Sequence, residues 1–113
     1  MTKNLDSEGL RSVFDNYELF FIDLWGVVHN GIELHENAVH ALSKISEAKK
    51  NYILLTNAPR PNKIVKNFLE KLSLDRRMRD KVFTSGEAAL GYLKKNYINQ
   101  KFYHIGPPRD FNL

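Results

Sequence analysis

Short apolar runs alternate with longer segments of helical spacing along most of this chain. The short runs predict strands at residues 18–24, 52–56, 81–84 and 101–105. Apolar residues three and four positions apart predict helices at 7–16, 36–50, 61–72 and 87–95. Because helices separate the predicted strands, the pattern predicts an α/β fold with right-handed crossovers and a parallel sheet.

Residues at the ends of the predicted helices support these boundaries. Pro59 and Pro61 interrupt the chain after the second predicted strand, and Pro61 suits the first turn of the helix that follows. Ser85 has the side chain expected of an N-cap before the last helix. The polar residues 73–80 are expected to link the third helix to the third strand.

The composition allows a buried core in one domain or part of one. The chain has 113 residues, of which 42% are hydrophobic and 27% charged, which excludes a compositionally disordered chain. It has no cysteine, which excludes disulfide frameworks, thiolate nucleophiles and cysteine-based metal sites. The polar N-terminus does not resemble a signal peptide, and no apolar run approaches the roughly 20 residues that span a bilayer. We therefore expect a cytoplasmic protein with no membrane-embedded segment.

The positive charge is concentrated in one segment. The net charge is +4, and residues 60–81 carry eight Lys or Arg against three Asp or Glu, a local excess of +5. Such a segment binds nucleic acid or another polyanion in some proteins and forms a solvated helix face in others. Because Phe68 is its only aromatic residue and no nucleic-acid motif is present, we favour the solvated face. Nucleic-acid binding is the alternative, and strongly salt-dependent association would reveal it.

Two predicted strands end in polar residues of a kind that binds ligands. Asp23 ends an apolar run and is followed by a glycine turn at Gly26, while Thr56 and Asn57 end the second strand. A carboxylate at the end of a buried strand is costly unless it is paired or bound to a cation. Because the carboxyl ends of parallel strands meet at one edge of a sheet, Asp23 and Thr56 are expected to converge there.

The same residues resemble the motifs of the haloacid dehalogenase (HAD) superfamily. Residues 20–31 resemble its first motif, a hydrophobic strand followed by Asp-x-Asp-Gly, at Asp23 and Gly26. Residues 53–60 and 82–89 resemble the Thr-Asn-Asn-Pro and Thr-Ser segments of class IIA, the NagD-like branch. Trp25 stands where the first motif usually has its second Asp, a form similar to an Asp-x-Trp-Gly-Val sub-branch. The resemblance covers residues 18–110 and implies a Rossmann-like HAD core.

By this resemblance the chain is part of a phosphatase that acts on a phosphorylated small molecule. Asp23 is the implied nucleophile, which forms an aspartyl-phosphate and then releases it to water. The resemblance implies Mg²⁺ as cofactor, held by the Asp23 carboxylate and the Trp25 backbone carbonyl. Thr56, Asn57 and Gly26 are the implied phosphate-binding residues.

Trp25 and His29 lie in the same stretch but are not expected to act in catalysis. Indole has no useful acid–base chemistry, so Trp25 is interpreted as a packing residue or a lid. The four histidines show no metal-ligand spacing, and His29 is interpreted as a surface histidine.

Several parts of an active HAD enzyme have no counterpart in this sequence. The resemblance implies a second Asp that protonates the leaving group, and a later Lys and Asp pair that complete the site. We expect residues 1–100 to form a partial HAD core and residues 101–113 to begin a truncated cap domain. The chain alone is expected to be inactive, and marginally folded or oligomeric, because a partial sheet exposes an edge and an apolar face. A second polypeptide or self-association would supply the missing core; the alternative is a non-catalytic remnant or the binding subunit of a split protein.

Overall fold

The computed structural model describes residues 4–110. Its strands are β1 (Leu19–Asp23), β2 (Asn51–Thr56) and β3 (Val82–Thr84). Its helices are α1 (Leu5–Glu8), α2 (Glu36–Glu47), α3 (Asn62–Lys71), α4 (Arg76–Arg79) and α5 (Ser85–Asn96). Short 3₁₀ turns lie at Leu10–Ser12, Phe14–Asn16 and Pro108–Asp110. Among residues 4–110, no helix has both the length and the apolar character needed to cross a bilayer.

The strands form one parallel sheet in the order β1-β2-β3. Asp23 pairs with Leu55, and Leu55 pairs with Phe83, so these three positions lie in one row across the sheet. The helix α2 connects β1 to β2, and the helices α3 and α4 connect β2 to β3. The predicted α/β fold is confirmed: the three parallel strands and the helices that connect them form a partial Rossmann-like sheet.

The core lies on one face of the sheet because side chains alternate between faces along each strand. In β2, Tyr52, Leu54 and Thr56 are buried, whereas Leu55 is exposed. The helices α2 and α3 contribute three buried residues to the same core: Leu42, Ile45 and Leu69. Full burial of each such aliphatic side chain stabilises the fold by about 1.5–3 kcal/mol.

The opposite face of the sheet is uncovered in the part of the chain that the structure describes. We call it the open face and define it by four exposed apolar residues: Leu19, Phe21, Leu55 and Phe83. Between 42% and 66% of the surface of each is exposed. Contiguous apolar surface of this kind favours association with other molecules.

Some of the predicted boundaries are wrong. Residues 7–16 do not form one helix, because Gly9 adopts a φ of 70° and separates α1 from the 3₁₀ turns. Residues 101–105 form no strand, because none of the described strands pairs with them. The link at 73–80 contains the short helix α4, which the Asp75 side chain caps. The predicted domain division after residue 100 stays a prediction.

Acidic side chains accompany the basic residues of the segment 60–81. Asp80 pairs with Lys66 at 3.2 Å, and Glu70 pairs with Arg79 at 3.1 Å. Because both pairs are partly exposed, each contributes no more than about 1 kcal/mol to stability, but they reduce the local positive charge. The interpretation of this segment as a solvated face, with polyanion binding as the alternative, stays a prediction.

We expect the chain to self-associate through the open face. Phe21 is 66% exposed there, and replacing it with Ser should raise the dissociation constant by about ten- to a hundredfold, because burial of a Phe side chain contributes about 1.5–3 kcal/mol. Sedimentation velocity over a dilution series measures the change. Tyr103→Ser is the control, because Tyr103 is 92% exposed and lies outside the sheet. A wild-type chain that stays monomeric at every concentration would contradict the expectation.

Candidate functional site

The carboxyl ends of the three strands meet at one cleft. β1 ends at Asp23, β2 at Thr56 and β3 at Thr84, which is followed directly by Ser85. The cleft has a volume of about 420 Å³ and is lined by Phe21, Asp23, Leu55, Thr56, Asn57 and Ser85. The structure therefore brings together Asp23, Thr56 and Asn57, three of the residues that the sequence singled out, at the edge where parallel sheets bind ligands. Their chemical roles stay predictions.

Asp23 is the one ionisable residue among the described residues that line the cleft. Its Oδ1 atom accepts a hydrogen bond from the Leu24 N–H at 2.8 Å. Within residues 4–110 no Lys or Arg forms an ion pair with it, and its side chain is exposed. Its second carboxylate oxygen is thus accessible as a nucleophile or as a ligand for a cation.

The chain turns sharply after Asp23 because of Gly26. Gly26 adopts a φ of 78°, in the left-handed region that favours glycine, and its N–H donates to the His29 carbonyl at 2.7 Å. Leu24 and Val28 bury their side chains in the core beside this turn. Gly26 does not line the cleft, so the predicted contact between its amide and a phosphate requires the bond to His29 to open.

His29 is buried, with 4% of its surface exposed, so its interpretation as a surface histidine is wrong. Its ring lies between Trp25 and Phe68, with centroid distances of 5.4 Å to each. Its Nδ1 atom accepts a hydrogen bond from the Gly31 N–H at 3.0 Å, so the neutral ring carries its proton on Nε2. No periodicity marks this burial, because residues 24–34 form an irregular loop that reaches across to α3.

Burial lowers the pKa of His29 below its usual value, because the charged ring would lose its hydration. The nearby His35 lowers this pKa further. Asp23 raises it, but by less than either burial or His35 lowers it. The neutral form of His29 is therefore favoured, which reduces positive charge beside the cleft.

Thr56 and Asn57 begin the loop that leads from β2 to α3. Thr56 is 8% exposed, and its hydroxyl oxygen accepts a hydrogen bond from the Ala58 N–H at 3.3 Å. The Ser85 hydroxyl donates to the Thr56 carbonyl at 3.4 Å. Because the Thr56 hydroxyl acts here as an acceptor, its own proton is available to donate to an anion.

A network of hydrogen bonds holds this loop against the start of α5. The Thr84 hydroxyl donates to the Arg60 carbonyl and accepts from the Glu87 N–H. Asn62 accepts from the Thr84 N–H at 2.9 Å through its side chain, and its own N–H donates to the Glu87 carboxylate at 2.9 Å. Thr84 is therefore the N-cap of α5, and the prediction of Ser85 at that position is wrong by one residue. Ser85 instead lines the cleft.

Gly86 allows the same loop and helix to approach each other closely, and sequence reasoning did not find it. Its N–H donates to the Ala58 carbonyl at 3.1 Å, and a Cβ atom at position 86 would overlap the Pro59 carbonyl group. The one available signal was a glycine in the first turn of a helix, where glycine is otherwise unfavourable.

Comparison with known proteins relates this chain to a family of hydrolases. Over residues 20–112 the chain matches the family model described as haloacid dehalogenase-like hydrolase. It is 31% identical over 107 residues to Phosphoglycolate phosphatase 2 of Arabidopsis thaliana, an alignment that covers 90% of this chain and 35% of that protein.

Solved structures give the same relationship. A hydrolase of the haloacid dehalogenase-like family from Brucella suis 1330 is 33% identical, with a TM-score of 0.75 over 88% of this chain and 36% of that chain. The 4-nitrophenylphosphatase of Thermotoga maritima is 26% identical, with a TM-score of 0.65 over 75% of this chain and 33% of that chain. The present chain thus spans about a third of the length of these relatives.

We expect Gly86→Ala to destabilise the fold, because the added methyl group has no space beside Pro59. Overpacking of this kind costs about 1–3 kcal/mol. Gly91→Ala is the matched control, because it lies on the same helix and nothing is within 4 Å of its Cβ position; it should stabilise the chain by about 0.5–1 kcal/mol. Urea denaturation measures both, and equal effects of the two substitutions would contradict the tight contact at Gly86.

The stability of the chain should fall as the pH drops below the usual pKa of histidine. Because folding lowers the pKa of His29, the unfolded chain takes up a proton at a higher pH than the folded chain does. The stability linked to neutral His29 is complete above the unfolded pKa of about 6.5 and is lost as the pH falls through the folded value.

The pH dependence is tested by urea unfolding of His29→Gln and His40→Gln. His29→Gln should have a smaller loss of stability than the wild type between about pH 7 and about pH 5. His40→Gln, at an exposed position of α2, should keep the wild-type slope. The expectation fails if the two variants have the same slope.

Proposed function

Because this chain belongs to the haloacid dehalogenase-like hydrolase family, we propose that the cleft is the phosphoryl-transfer site of a phosphate-ester hydrolase. One observation carries the proposal: Asp23, Thr56 and Asn57 line a single cleft at the carboxyl edge of the sheet. The proposed substrate class is a phosphorylated small molecule, which the two phosphatases among the relatives support. The class IIA resemblance agrees with these relatives. We also propose that the chain belongs to the Asp-x-Trp-Gly-Val sub-branch.

Asp23 is the proposed nucleophile. Its accessible oxygen attacks the phosphorus atom, a bond from this oxygen to phosphorus forms, and the bond from phosphorus to the leaving oxygen breaks. Water then attacks the aspartyl-phosphate, which releases inorganic phosphate and restores the carboxylate. The Leu24 N–H holds the other carboxylate oxygen at 2.8 Å, which keeps the group oriented at the end of β1.

Thr56 and Asn57 are the proposed phosphate-binding residues. The Thr56 hydroxyl is held in place by the Ala58 N–H and has a proton to donate to a phosphate oxygen. Asn57 is exposed at the same cleft, and its side-chain amide adds donors of the same kind. Such donors act mainly by positioning the phosphate and by offsetting its charge.

Mg²⁺ is the proposed cofactor, and the donors near Asp23 fit it in type. The Asp23 carboxylate and the Trp25 backbone carbonyl are hard oxygen ligands of the kind that Mg²⁺ prefers. Within residues 4–110 no three His, Asp or Glu side chains are grouped closely enough to hold a metal ion by themselves. A bound Mg²⁺ would neutralise charge on the phosphate. We therefore propose that these two groups supply part of its coordination.

The chain spans about a third of the length of its relatives. What the whole protein does is therefore also proposed. We propose that residues 1–100 are the first part of the core and residues 101–113 the start of a cap domain, and that the chain alone is inactive. We also propose that a second polypeptide or self-association supplies the rest of the site. A non-catalytic binding role is the alternative, and cytoplasmic location stays a prediction.

We expect Mg²⁺ and inorganic phosphate to bind weakly at this cleft even without turnover. Amide NMR signals report binding: Mg²⁺ should shift those of Leu24 and Trp25, and added phosphate should shift those of Thr56 and Asn57. Asp23→Asn should abolish the Mg²⁺-dependent shifts, because it removes the carboxylate ligand. Asp15→Asn, which alters an exposed carboxylate that does not line the cleft, should leave them unchanged.

The corresponding kinetic test is phosphate release from a generic aryl phosphate. For the chain alone we expect release no greater than that of Asp23→Asn. Turnover that requires both Mg²⁺ and Asp23 would refute the proposed inactivity and strengthen the enzymatic function. NMR shifts that are equal in the wild type and in Asp23→Asn would instead refute the proposed site.

A further inference from the structure

The indole of Trp25 is exposed, yet its position is held by surrounding groups. Trp25 is 65% exposed, and its ring lies at 89° to the His29 ring with a centroid distance of 5.4 Å. The indole also lies directly over Gly31, where a Cβ atom would come within 2.5 Å of it. A glycine at this position, with a φ of 91°, leaves the space that the ring occupies.

The groups that hold Trp25 are themselves anchored. His29 is buried, and its Nδ1 atom accepts from the Gly31 N–H at 3.0 Å. Its ring also packs against Phe68 of α3, with a centroid distance of 5.4 Å. The exposed indole is thus connected through His29 to a helix of the core. We call the exposed ring of Trp25 with its support, His29 and Gly31, the aromatic shelf.

The aromatic shelf lies next to the proposed nucleophile. Trp25 follows Asp23 by two residues, and consecutive Cα atoms are about 3.8 Å apart, so the two Cα atoms are at most about 7.6 Å apart. Trp25 does not line the cleft itself, so an organic group that extends out of the cleft from a phosphate at Asp23 is the part of the ligand that would meet the indole. A ring already held in place loses little conformational entropy when a ligand stacks on it, which favours binding.

We propose that the aromatic shelf binds the organic group of the phosphate ester and favours planar aromatic groups over small aliphatic ones. Indole has no group that ionises near neutral pH. Trp25 therefore contributes contact with the ligand and no acid catalysis. Aromatic pairs contribute about 0.5–1.5 kcal/mol beyond the area they bury, which sets the size of the expected preference. This inference rests on the proposed function, because it places the phosphate at Asp23.

Calorimetric titration with two phosphonates that cannot be hydrolysed tests the shelf in the presence of Mg²⁺. Phenylphosphonate should bind about three- to tenfold more tightly than methylphosphonate. Trp25→Leu should remove this preference, and Trp25→Phe should retain most of it because a ring remains. Ile32→Ser is the matched control: it removes an apolar side chain that is 83% exposed in the same loop, and it should leave the preference unchanged.

Each contrary result overturns the inference in a recognisable way. Equal binding of the two phosphonates refutes the aromatic shelf while the phosphate site stands. Failure of both to bind refutes the phosphate site and the shelf together. Trp25 is the sole tryptophan of the chain, so its fluorescence reports its surroundings directly. If this emission does not change when phenylphosphonate binds, the ligand does not contact the indole, which also refutes the inference.

Discussion

The order of the cleft depends on the buried hydroxyl of Thr84. This residue has no exposed surface, and its hydroxyl both donates to the Arg60 carbonyl and accepts from the Glu87 N–H. A buried hydroxyl without partners costs about 1–3 kcal/mol. Breaking these hydrogen bonds while the Thr84 hydroxyl stays buried is therefore unfavourable. Arg60 lies in the loop that begins after Thr56, and Glu87 lies in the first turn of α5. The proposed phosphate-binding loop is therefore fixed to the core.

Aromatic packing orders the other side of the cleft. The His29 carbonyl accepts from Gly26, its Nδ1 atom accepts from Gly31, and its ring lies between two aromatic side chains. A charged group in this position would lose its hydration, which explains the lowered pKa of His29. With Trp25 in place of a second carboxylate, this side of the cleft has less negative charge to repel a phosphate. In our proposal, position 25 thus supplies a contact surface where the resemblance implies an acid.

The local pattern of the sequence predicted the features that depend on residues close together in the chain and on the parallel arrangement of the strands. Asp23 and Thr56 converge because the ends of parallel strands share an edge. The burial of His29 and the close contact of Gly86 depend on Phe68 and Pro59, which are distant in sequence. No periodicity encodes such contacts. The apolar run at 101–105 has strand propensity, but a strand also needs a neighbour to pair with, and none of the described strands provides one.

The open face and the cleft share residues, and this links association to chemistry. Phe21 and Leu55 are exposed on the open face and also line the cleft beside Asp23. Protein that covers them removes water from the same side of the cleft. The attraction between unit charges at 4 Å rises from about 1 kcal/mol in water to about 4 kcal/mol at an effective dielectric constant of 20. In the proposed function, the strength with which Asp23 attracts a cation therefore depends on what covers the open face, in addition to the residues of the cleft.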